Sequence, residues 1–172
     1  MKFNIPNSLT LTRILLIPLI VYLFLSNEES YRIVIFSLFL LATITDYLDG
    51  FFARYMKQVT SFGEFLDPVA DKLLVIITLI LLVTENQDIF FLVPVLIIIT
   101  REFLVIAIRQ RLAEVGENIK LSVLLISKIK TAIQLISLLL LLYKFSFLGV
   151  DIYQLGIYLL QIASLLTLIS FF

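Results

Sequence analysis

Four aspartates in the second quarter of the chain have the spacing of side chains that share a helix face. Asp46 and Asp49 are three residues apart, and Asp67 and Asp71 are four apart. Residues three or four apart are neighbours on a helix surface, so two helices could each present two carboxylates. Apolar runs flank both pairs, and a single Asp at the centre of a membrane helix costs about 2.5–3.5 kcal/mol. The acidic pairs therefore require cations among them.

The absence of His and Cys from the sequence limits metal ligands to oxygen atoms. Oxygen-only sites favour hard cations such as magnesium, manganese or calcium, and four carboxylates suffice for two ions. Two divalent ions about 3.5–4 Å apart can stabilise the attacking and leaving oxygens of phosphoryl transfer. In a structural alternative, the aspartates cap helices, as Asp67 before Pro68 could, or pair with basic residues such as Arg54. That alternative explains one or two acids, but not four at helical spacing.

Composition indicates that these acids belong to a membrane protein. The 172 residues are 61% hydrophobic with a mean hydropathy of +1.11, well above a soluble domain. We predict an all-α integral membrane protein with six transmembrane helices in one domain, residues 1–172. The apolar runs are Leu9–Leu25, Ile33–Ile44, Leu73–Val83, Ile89–Ile99, Leu121–Tyr143 and Ile152–Phe172. Because a spanning helix needs about 20 mostly apolar residues, the second must extend toward Arg54 and the third must begin near Gly63.

The distribution of charge predicts how the helices are oriented. The net charge is zero, so there is no general basic field for nucleic acid. Six spans put both termini on one side of the membrane. If that side is the cytoplasm, only Arg32 and Lys144 among the 13 Lys and Arg residues lie outside, as the positive-inside rule expects. We therefore predict that both termini are cytoplasmic.

Small residues and one arginine accompany the acids at fixed distances. Gly50, Ala53, Arg54 and Gly63 combine with the four aspartates into the pattern DxxDGxxARx8Gx3Dx3D. This pattern resembles the signature of the CDP-alcohol phosphotransferase family. The stretches NIPNSLTLTR, FLDPVADKLLV, TREFLVIAIRQRLAEVG and SKIKTAIQ are similar to the bacterial branch of that family that makes phosphatidylglycerophosphate. About residues 4–135 take part in the resemblance.

The resemblance implies an enzyme that transfers the phosphatidyl group of CDP-diacylglycerol to an alcohol and releases CMP. It implies two Mg²⁺ or Mn²⁺ ions held by Asp46, Asp49, Asp67 and Asp71, with Asp71 also the general base. Gly50, Ala53, Arg54 and Gly63 would line the CDP-diacylglycerol site, to which Asn7, Thr10 and Arg13 would also contribute. From the residues alone, Asn7 or Ser8 could instead cap a helix that Arg13 anchors at the interface. The family further implies a homodimer among membrane lipids, in the bacterial cytoplasmic (inner) membrane, with its active site facing the cytoplasm.

Basic residues near the cytoplasmic ends of spans four and five predict an acceptor that carries a phosphate. Candidates for an anion pocket are Arg101, Arg109, Lys128 and Lys130. We therefore predict sn-glycerol 3-phosphate as the acceptor. Alternatives are inositol phosphate, serine or phosphatidylglycerol as acceptor, or a divalent cation transporter in place of an enzyme. Single basic residues, foremost Arg111 and Lys120, could instead anchor lipid headgroups, and Glu102 could orient Arg101.

Overall fold

The computed structural model describes the backbone of residues 5–56, 61–114, 125–147 and 150–170. Six α-helices account for most of these residues: α1 (Ile5–Leu25), α2 (Arg32–Met56), α3 (Ser61–Glu85), α4 (Ile89–Glu114), α5 (Leu125–Tyr143) and α6 (Ile152–Ile169). The described ranges also contain a 3₁₀ turn at Glu29–Tyr31 and a short antiparallel hairpin of β1 (Ser146–Phe147) and β2 (Val150–Asp151). The six predicted helical segments are therefore confirmed as helices.

Helices α2 and α3 are both longer than their apolar runs, as bilayer thickness predicts. α2 continues past Ile44 to Met56, and α3 begins at Ser61, well before Leu73. Both acidic pairs consequently lie on helical backbone.

The ends of α1 show how local residue choice sets a helix boundary. Asn7 and Ser8 are typical capping residues, but Ile5 is already helical, so a start at either of them is wrong. Pro6 fits the first turn because the N–H that it lacks has no partner there. After the last turn, Asn27 adopts a left-handed φ of 54°, which Asn tolerates better than most residues.

Two of the described helices are long and apolar enough to cross a membrane. These stretches are Ile89–Ile108 in α4 and Ile152–Ile169 in α6, and α1 contains a shorter apolar stretch, Thr10–Leu25. Only 28% of each long stretch is buried, whereas the core helix of a soluble domain is mostly buried. Their length, composition and exposure fit helices that face lipid.

The chain forms two compact units, each with its own packing. The first comprises Met1–Leu82 with Leu142–Lys144, and the second Val83–Leu141 with Phe145–Phe172. In the first unit α1 packs on α2, and the guanidinium carbon of Arg32 lies 5.1 Å from the centre of the Phe24 ring. Because Phe24 is near the end of α1 and Arg32 begins α2, the two helices form an antiparallel hairpin. The start of α1 and the end of α2 therefore lie at the same end of the hairpin.

Buried residues of α1 and α2 follow one face of each helix at spacings of three and four. They are Thr10, Arg13, Ile17, Ile20 and Phe24 in α1, and Ile35, Phe39 and Ala42 in α2. Such spacing is typical of helices that pack at a crossing angle of about 20°. Positions 46 and 49 continue the same spacing along the helical backbone of α2.

The second unit brings α4, α5 and α6 together. α4 packs on α6, and Ser137 of α5 donates a 2.7 Å hydrogen bond to the carbonyl of Gly156 in α6. The buried residues again recur at spacings of three and four: Phe91, Val95, Ile98 and Glu102 in α4; Lys130, Gln134, Ser137 and Leu141 in α5; Gly156, Leu160, Ala163 and Thr167 in α6. Each helix thus contributes one face to a shared core.

Both units expose large apolar side chains and bury polar ones. Exposed examples are Leu15 and Tyr22 in the first unit, and Ile89, Phe90 and Leu96 in the second. Buried polar examples are Thr10 and Arg13 in the first unit, and Glu102, Lys130, Gln134 and Ser137 in the second. A soluble domain rarely buries charged side chains, because water solvates them better than the interior does. A lipid surrounding accommodates both features.

Gly156 sets the close approach of α5 and α6. A Cβ atom at this position would lie 2.9 Å from Cγ and 3.2 Å from the backbone nitrogen of Leu141. Gly156→Ala is therefore expected to lower the free energy of unfolding by about 1–3 kcal/mol, because a helix has to shift. Thermal unfolding of the detergent-purified protein measures the change, with the exposed neighbour Leu155→Ala as the control, expected within about 0.5 kcal/mol. Wild-type stability in Gly156→Ala would contradict the close packing.

Candidate active site

Both predicted acidic pairs lie on uninterrupted helix. Asp46 and Asp49 belong to α2, and Asp67 and Asp71 belong to α3. Their spacing therefore places each pair on one face of its helix. The side chains of Asp46, Asp49 and Asp67 lie outside those that the structure describes. The meeting of all four carboxylates at one point stays a prediction.

The position of Asp67 within α3 decides one of the structural alternatives. An aspartate before a proline often caps a helix, but α3 begins at Ser61 and already includes Asp67 and Pro68. The capping interpretation of Asp67 is therefore wrong. Because Asp67 does not cap the helix, a role for its carboxylate in binding is favoured.

Asp71 is the acid whose surroundings the structure describes. It is half-buried in α3 and lies three residues before Leu74 and seven before Thr78, both of which are buried. This spacing puts Asp71 at the edge of the buried face of α3. Partial burial suits a general base, because the carboxylate stays reachable for a substrate hydroxyl while the protein shields it from bulk water.

The donor set on α2 and α3 fits divalent cations by its chemistry. Each helix offers two carboxylates at i, i+3 or i, i+4, and carboxylate oxygens are the ligands that Mg²⁺ and Mn²⁺ prefer. Among the side chains that the structure describes, no three acidic residues gather closely enough to hold an ion. Since three of the four predicted ligands fall outside those side chains, the metal site remains a proposal.

Thr10 and Arg13 lie on the buried face of α1. Thr10 is fully buried and Arg13 is only 1% exposed, although an anchor at the membrane interface would extend its guanidinium into water. Burial thus favours a binding or packing role over an anchoring one. The antiparallel hairpin puts these residues at the same end as the last turns of α2. Asn7 is helical in α1, and its side chain lies outside those described.

The remaining residues of the motif lie on helical backbone at the ends of α2 and α3. Gly50, Ala53 and Arg54 belong to the last turns of α2, and Gly63 to the first turn of α3. Their side-chain surroundings are outside the described part of the structure. Helix geometry nevertheless places Gly50 and Ala53 three apart, next to the Asp46 and Asp49 face.

The basic residues predicted to hold an acceptor phosphate have three different surroundings. Lys130 is buried in α5, Arg101 is half-buried in α4, and Lys128 is exposed. Arg109 lies on α4 with its side chain outside those described. Of the two predicted lipid anchors, Arg111 is exposed, as an anchor should be, and Lys120 lies outside the described residues.

A buried carboxylate joins two of these cations. Glu102 Oε1 accepts a hydrogen bond from Lys130 Nζ at 2.9 Å and a longer one from Arg101 Nη1 at 3.4 Å. The side chains of Glu102 and Lys130 are each 2% exposed. Arg101 Nη2 also donates to Ser170 Oγ at 3.4 Å, beyond the last turn of α6. The network therefore ties α4, α5 and the end of α6 together within the second unit.

From the sequence, Glu102 was expected to orient its neighbour Arg101, and its contact with Lys130 was missed. The structure shows both contacts, with the shorter one to Lys130, 28 residues further along the chain. Sequence reasoning also missed the buried polar face of α5, formed by Lys130, Gln134 and Ser137. Their spacing of four and three in an otherwise apolar helix is the signal that could have revealed this face.

The fold and the site together define a class of protein. The chain is a helical protein with an apolar surface, two carboxylate pairs on consecutive helices, and a cluster of cations on a further pair of helices. Carboxylates that can hold metals, combined with cations that can hold phosphate, are typical of enzymes that transfer phosphoryl groups.

Comparison with known proteins assigns the chain to a family. The family model described as CDP-alcohol phosphatidyltransferase matches residues 3–169, so the chain belongs to the CDP-alcohol phosphatidyltransferase family. The predicted family is thereby confirmed, and with it an enzyme of phosphatidyl transfer. This assignment displaces the cation-transporter alternative.

Bacterial relatives resemble the chain over nearly its full length. A protein of Wigglesworthia glossinidia brevipalpis is 42% identical and covers 100% of this chain and 94% of the relative. A protein of Haemophilus influenzae is 41% identical, covering 99% and 90%. A protein of Salmonella choleraesuis is 39% identical, covering 99% and 92%. All three are named CDP-diacylglycerol–glycerol-3-phosphate 3-phosphatidyltransferase.

Proposed function

We propose that this chain transfers the phosphatidyl group of CDP-diacylglycerol to sn-glycerol 3-phosphate, giving phosphatidylglycerophosphate and CMP. The observation that carries the proposal is the sequence identity of 42% and 41%, over nearly the full length, to two relatives that are named for this reaction. The carboxylate pairs would supply metal ligands and a general base, and the cation cluster would bind the phosphate of the acceptor.

The acids of α2 and α3 would serve the reacting phosphorus. Asp71 takes the proton from the acceptor hydroxyl. The hydroxyl oxygen bonds to the phosphatidyl phosphorus, and the bond from that phosphorus to the CMP oxygen breaks. Arg54 donates charge-assisted hydrogen bonds to the diphosphate. Gly50, Ala53 and Gly63 leave room for the nucleotide, because small residues let a flat ligand approach the backbone. Asn7, Thr10 and Arg13 contribute to the same substrate from α1.

Two Mg²⁺ or Mn²⁺ ions held by Asp46, Asp49, Asp67 and Asp71 would neutralise the diphosphate and the leaving phosphate of CMP. The same arrangement explains why the chain tolerates four acids beside apolar helix segments. Without cations the carboxylates would repel each other in surroundings where water cannot screen them.

The cations of the second unit would bind the phosphate of the acceptor. Serine and inositol lack a phosphate and so give no reason for buried Lys130 and half-buried Arg101 within one network. Inositol phosphate and phosphatidylglycerol also carry a phosphate, so this chemistry leaves both as alternative acceptors. Arg109 and exposed Lys128 would add to the local positive charge.

The proposed topology has six spans in the bacterial inner membrane, both termini in the cytoplasm and the active site on that side. Arg101 donates to Ser170, so the middle of α4 lies beside the end of α6 in the second unit. The positive-inside rule supports a cytoplasmic position for the basic end of α4. The proposal also treats residues 1–172 as one domain, because the family match extends over residues 3–169, and it includes a homodimer.

The experiment that tests the function is CMP release by the detergent-purified protein. CDP-diacylglycerol with magnesium or manganese is incubated with sn-glycerol 3-phosphate, inositol phosphate, serine, inositol or phosphatidylglycerol in separate reactions. We expect turnover with sn-glycerol 3-phosphate and a phosphatidylglycerophosphate product by mass spectrometry. Turnover with a different acceptor alone would overturn the substrate assignment and keep the chemistry.

Two lysines of α5 should differ in their effect on the acceptor. Lys130→Ala is expected to raise the KM for sn-glycerol 3-phosphate by about 10- to 100-fold, since a hydrogen bond to a charged group contributes about 1.5–3 kcal/mol. Lys128→Ala should raise it by about fivefold or less, because Lys128 is exposed and water screens its charge. Steady-state kinetics with each substrate varied measure both constants. Equal effects of Lys130→Ala on both substrates would contradict an acceptor-phosphate role.

A further inference from the structure

Glu102 lies between the two cations that the proposed function assigns to the acceptor phosphate. Its Oε1 is 2.9 Å from Lys130 Nζ and 3.4 Å from Arg101 Nη1. One oxygen atom therefore accepts from groups on two helices, α5 and α4. This contact joins residues 28 positions apart, so it exists only in the folded second unit.

Burial gives the shared carboxylate a physical task. Lys130 is among the fully buried side chains, and an ammonium removed from water needs a compensating charge nearby. Two cations brought close together without an anion would also repel each other. Glu102 supplies the negative charge for both, and its own side chain is only 2% exposed, so solvent screens the interaction little.

Arg101 keeps a donor that a further acceptor can use. Of its guanidinium nitrogens, Nη1 donates to Glu102 and Nη2 to Ser170, whereas Nε is buried with no hydrogen-bond partner within the described part of the structure. A phosphate group has several acceptor oxygens and can engage two cations at once. The three charged groups therefore form a preassembled frame on which a phosphate can bind.

We propose that Glu102 is a positioning residue that holds Arg101 and Lys130 at a fixed separation for the phosphate of the acceptor. The inference rests on the proposed function and adds to it a negatively charged residue, although a carboxylate by itself would repel a phosphate. Glu102 contacts the cations and acts on the acceptor through them. Its removal should weaken acceptor binding even though the pocket becomes more positive.

The test compares three substitutions in the detergent-purified full chain. Glu102→Gln keeps the shape and removes the charge, and it should raise the KM for sn-glycerol 3-phosphate by at least about 10-fold while the KM for CDP-diacylglycerol changes less than about twofold. Glu102→Asp keeps the charge and should recover part of the loss. Ser137 lies in α5, the helix of Lys130, and Ser137→Ala removes its buried hydrogen bond to the carbonyl of Gly156 in α6, which should leave both KM values unchanged.

A second measurement keeps the inference testable if Glu102→Gln turns over slowly. The stabilisation of the protein against heat by sn-glycerol 3-phosphate should require at least about 10-fold more ligand in Glu102→Gln than in the wild type. A lower or unchanged KM for sn-glycerol 3-phosphate in Glu102→Gln would overturn the positioning role. A lower KM would mean that Glu102 competes with phosphate for Lys130. Equal losses for both substrates, or no recovery in Glu102→Asp, would also overturn it. Failure of the wild type to use sn-glycerol 3-phosphate would instead refute the proposed function.

Discussion

Replacing Asp71 with asparagine is expected to lower kcat for CMP release by about 10²- to 10⁴-fold while the protein keeps its fold. Asparagine has nearly the same shape, but its amide cannot take a proton from the acceptor hydroxyl, and general-base catalysis contributes a factor of this size. Asp71 is half-buried at the edge of the packed face of α3, so an isosteric change should preserve packing. Initial rates at saturating concentrations of both substrates measure the effect.

The control for Asp71→Asn is the same substitution at an exposed aspartate. Asp88 precedes α4 and accepts a 3.4 Å hydrogen bond from the backbone nitrogen of Phe90. Asparagine caps helices about as well as aspartate, so Asp88→Asn should retain wild-type turnover and stability. Full activity in Asp71→Asn would remove Asp71 from the role of base. If a large excess of manganese restored its kcat completely, metal binding would be its sole contribution.

Removing divalent metal should abolish turnover, which is the second large effect. After chelation, CMP release is expected to fall by at least about 10³-fold and to return when Mg²⁺ or Mn²⁺ is added in excess of the chelator. The reason is electrostatic: the diphosphate and the carboxylates of α2 and α3 are all negative, and their close approach needs cations. The measurement is the initial rate as a function of free metal concentration.

A substrate that binds metal by itself could mimic this result, so the site needs its own readout. Electron paramagnetic resonance of Mn²⁺ with the protein alone should show two bound ions per chain. Asp67→Asn should weaken this binding and raise the metal concentration for half-maximal turnover, whereas Asp88→Asn should change neither. Undiminished turnover in the presence of chelator would refute the metal proposal.

Helix positions followed from the sequence because hydropathy and length are local properties. The apolar runs and the thickness of a bilayer together predicted that α2 continues past Ile44 and that α3 begins far ahead of Leu73. Capping signals were less informative. Asn7 and Asp67 both look like helix starts, yet both are inside helices, because apolar packing along a whole helix outweighs the roughly 1 kcal/mol of one cap.

The proposed chemistry of the candidate site rests on the sequence by itself. The spacing of Asp46, Asp49, Asp67 and Asp71 puts each pair on one face of a helix, whatever the rest of the fold does. The absence of His and Cys restricts a metal site to oxygen ligands, which favour hard cations. These conclusions depend on helix geometry and ligand chemistry alone, which the order of residues determines.

Only the tertiary structure decided which basic residues form a unit. Lys128 and Lys130 are two positions apart and look equivalent in the sequence, but one is exposed and the other is buried. Glu102 pairs with Lys130 because of how α4 and α5 are rotated and aligned in the second unit, where α4 packs on α6 and Ser137 of α5 donates to Gly156 of α6. The sequence therefore determined the kind of chemistry, whereas packing between distant helices decided which charges meet.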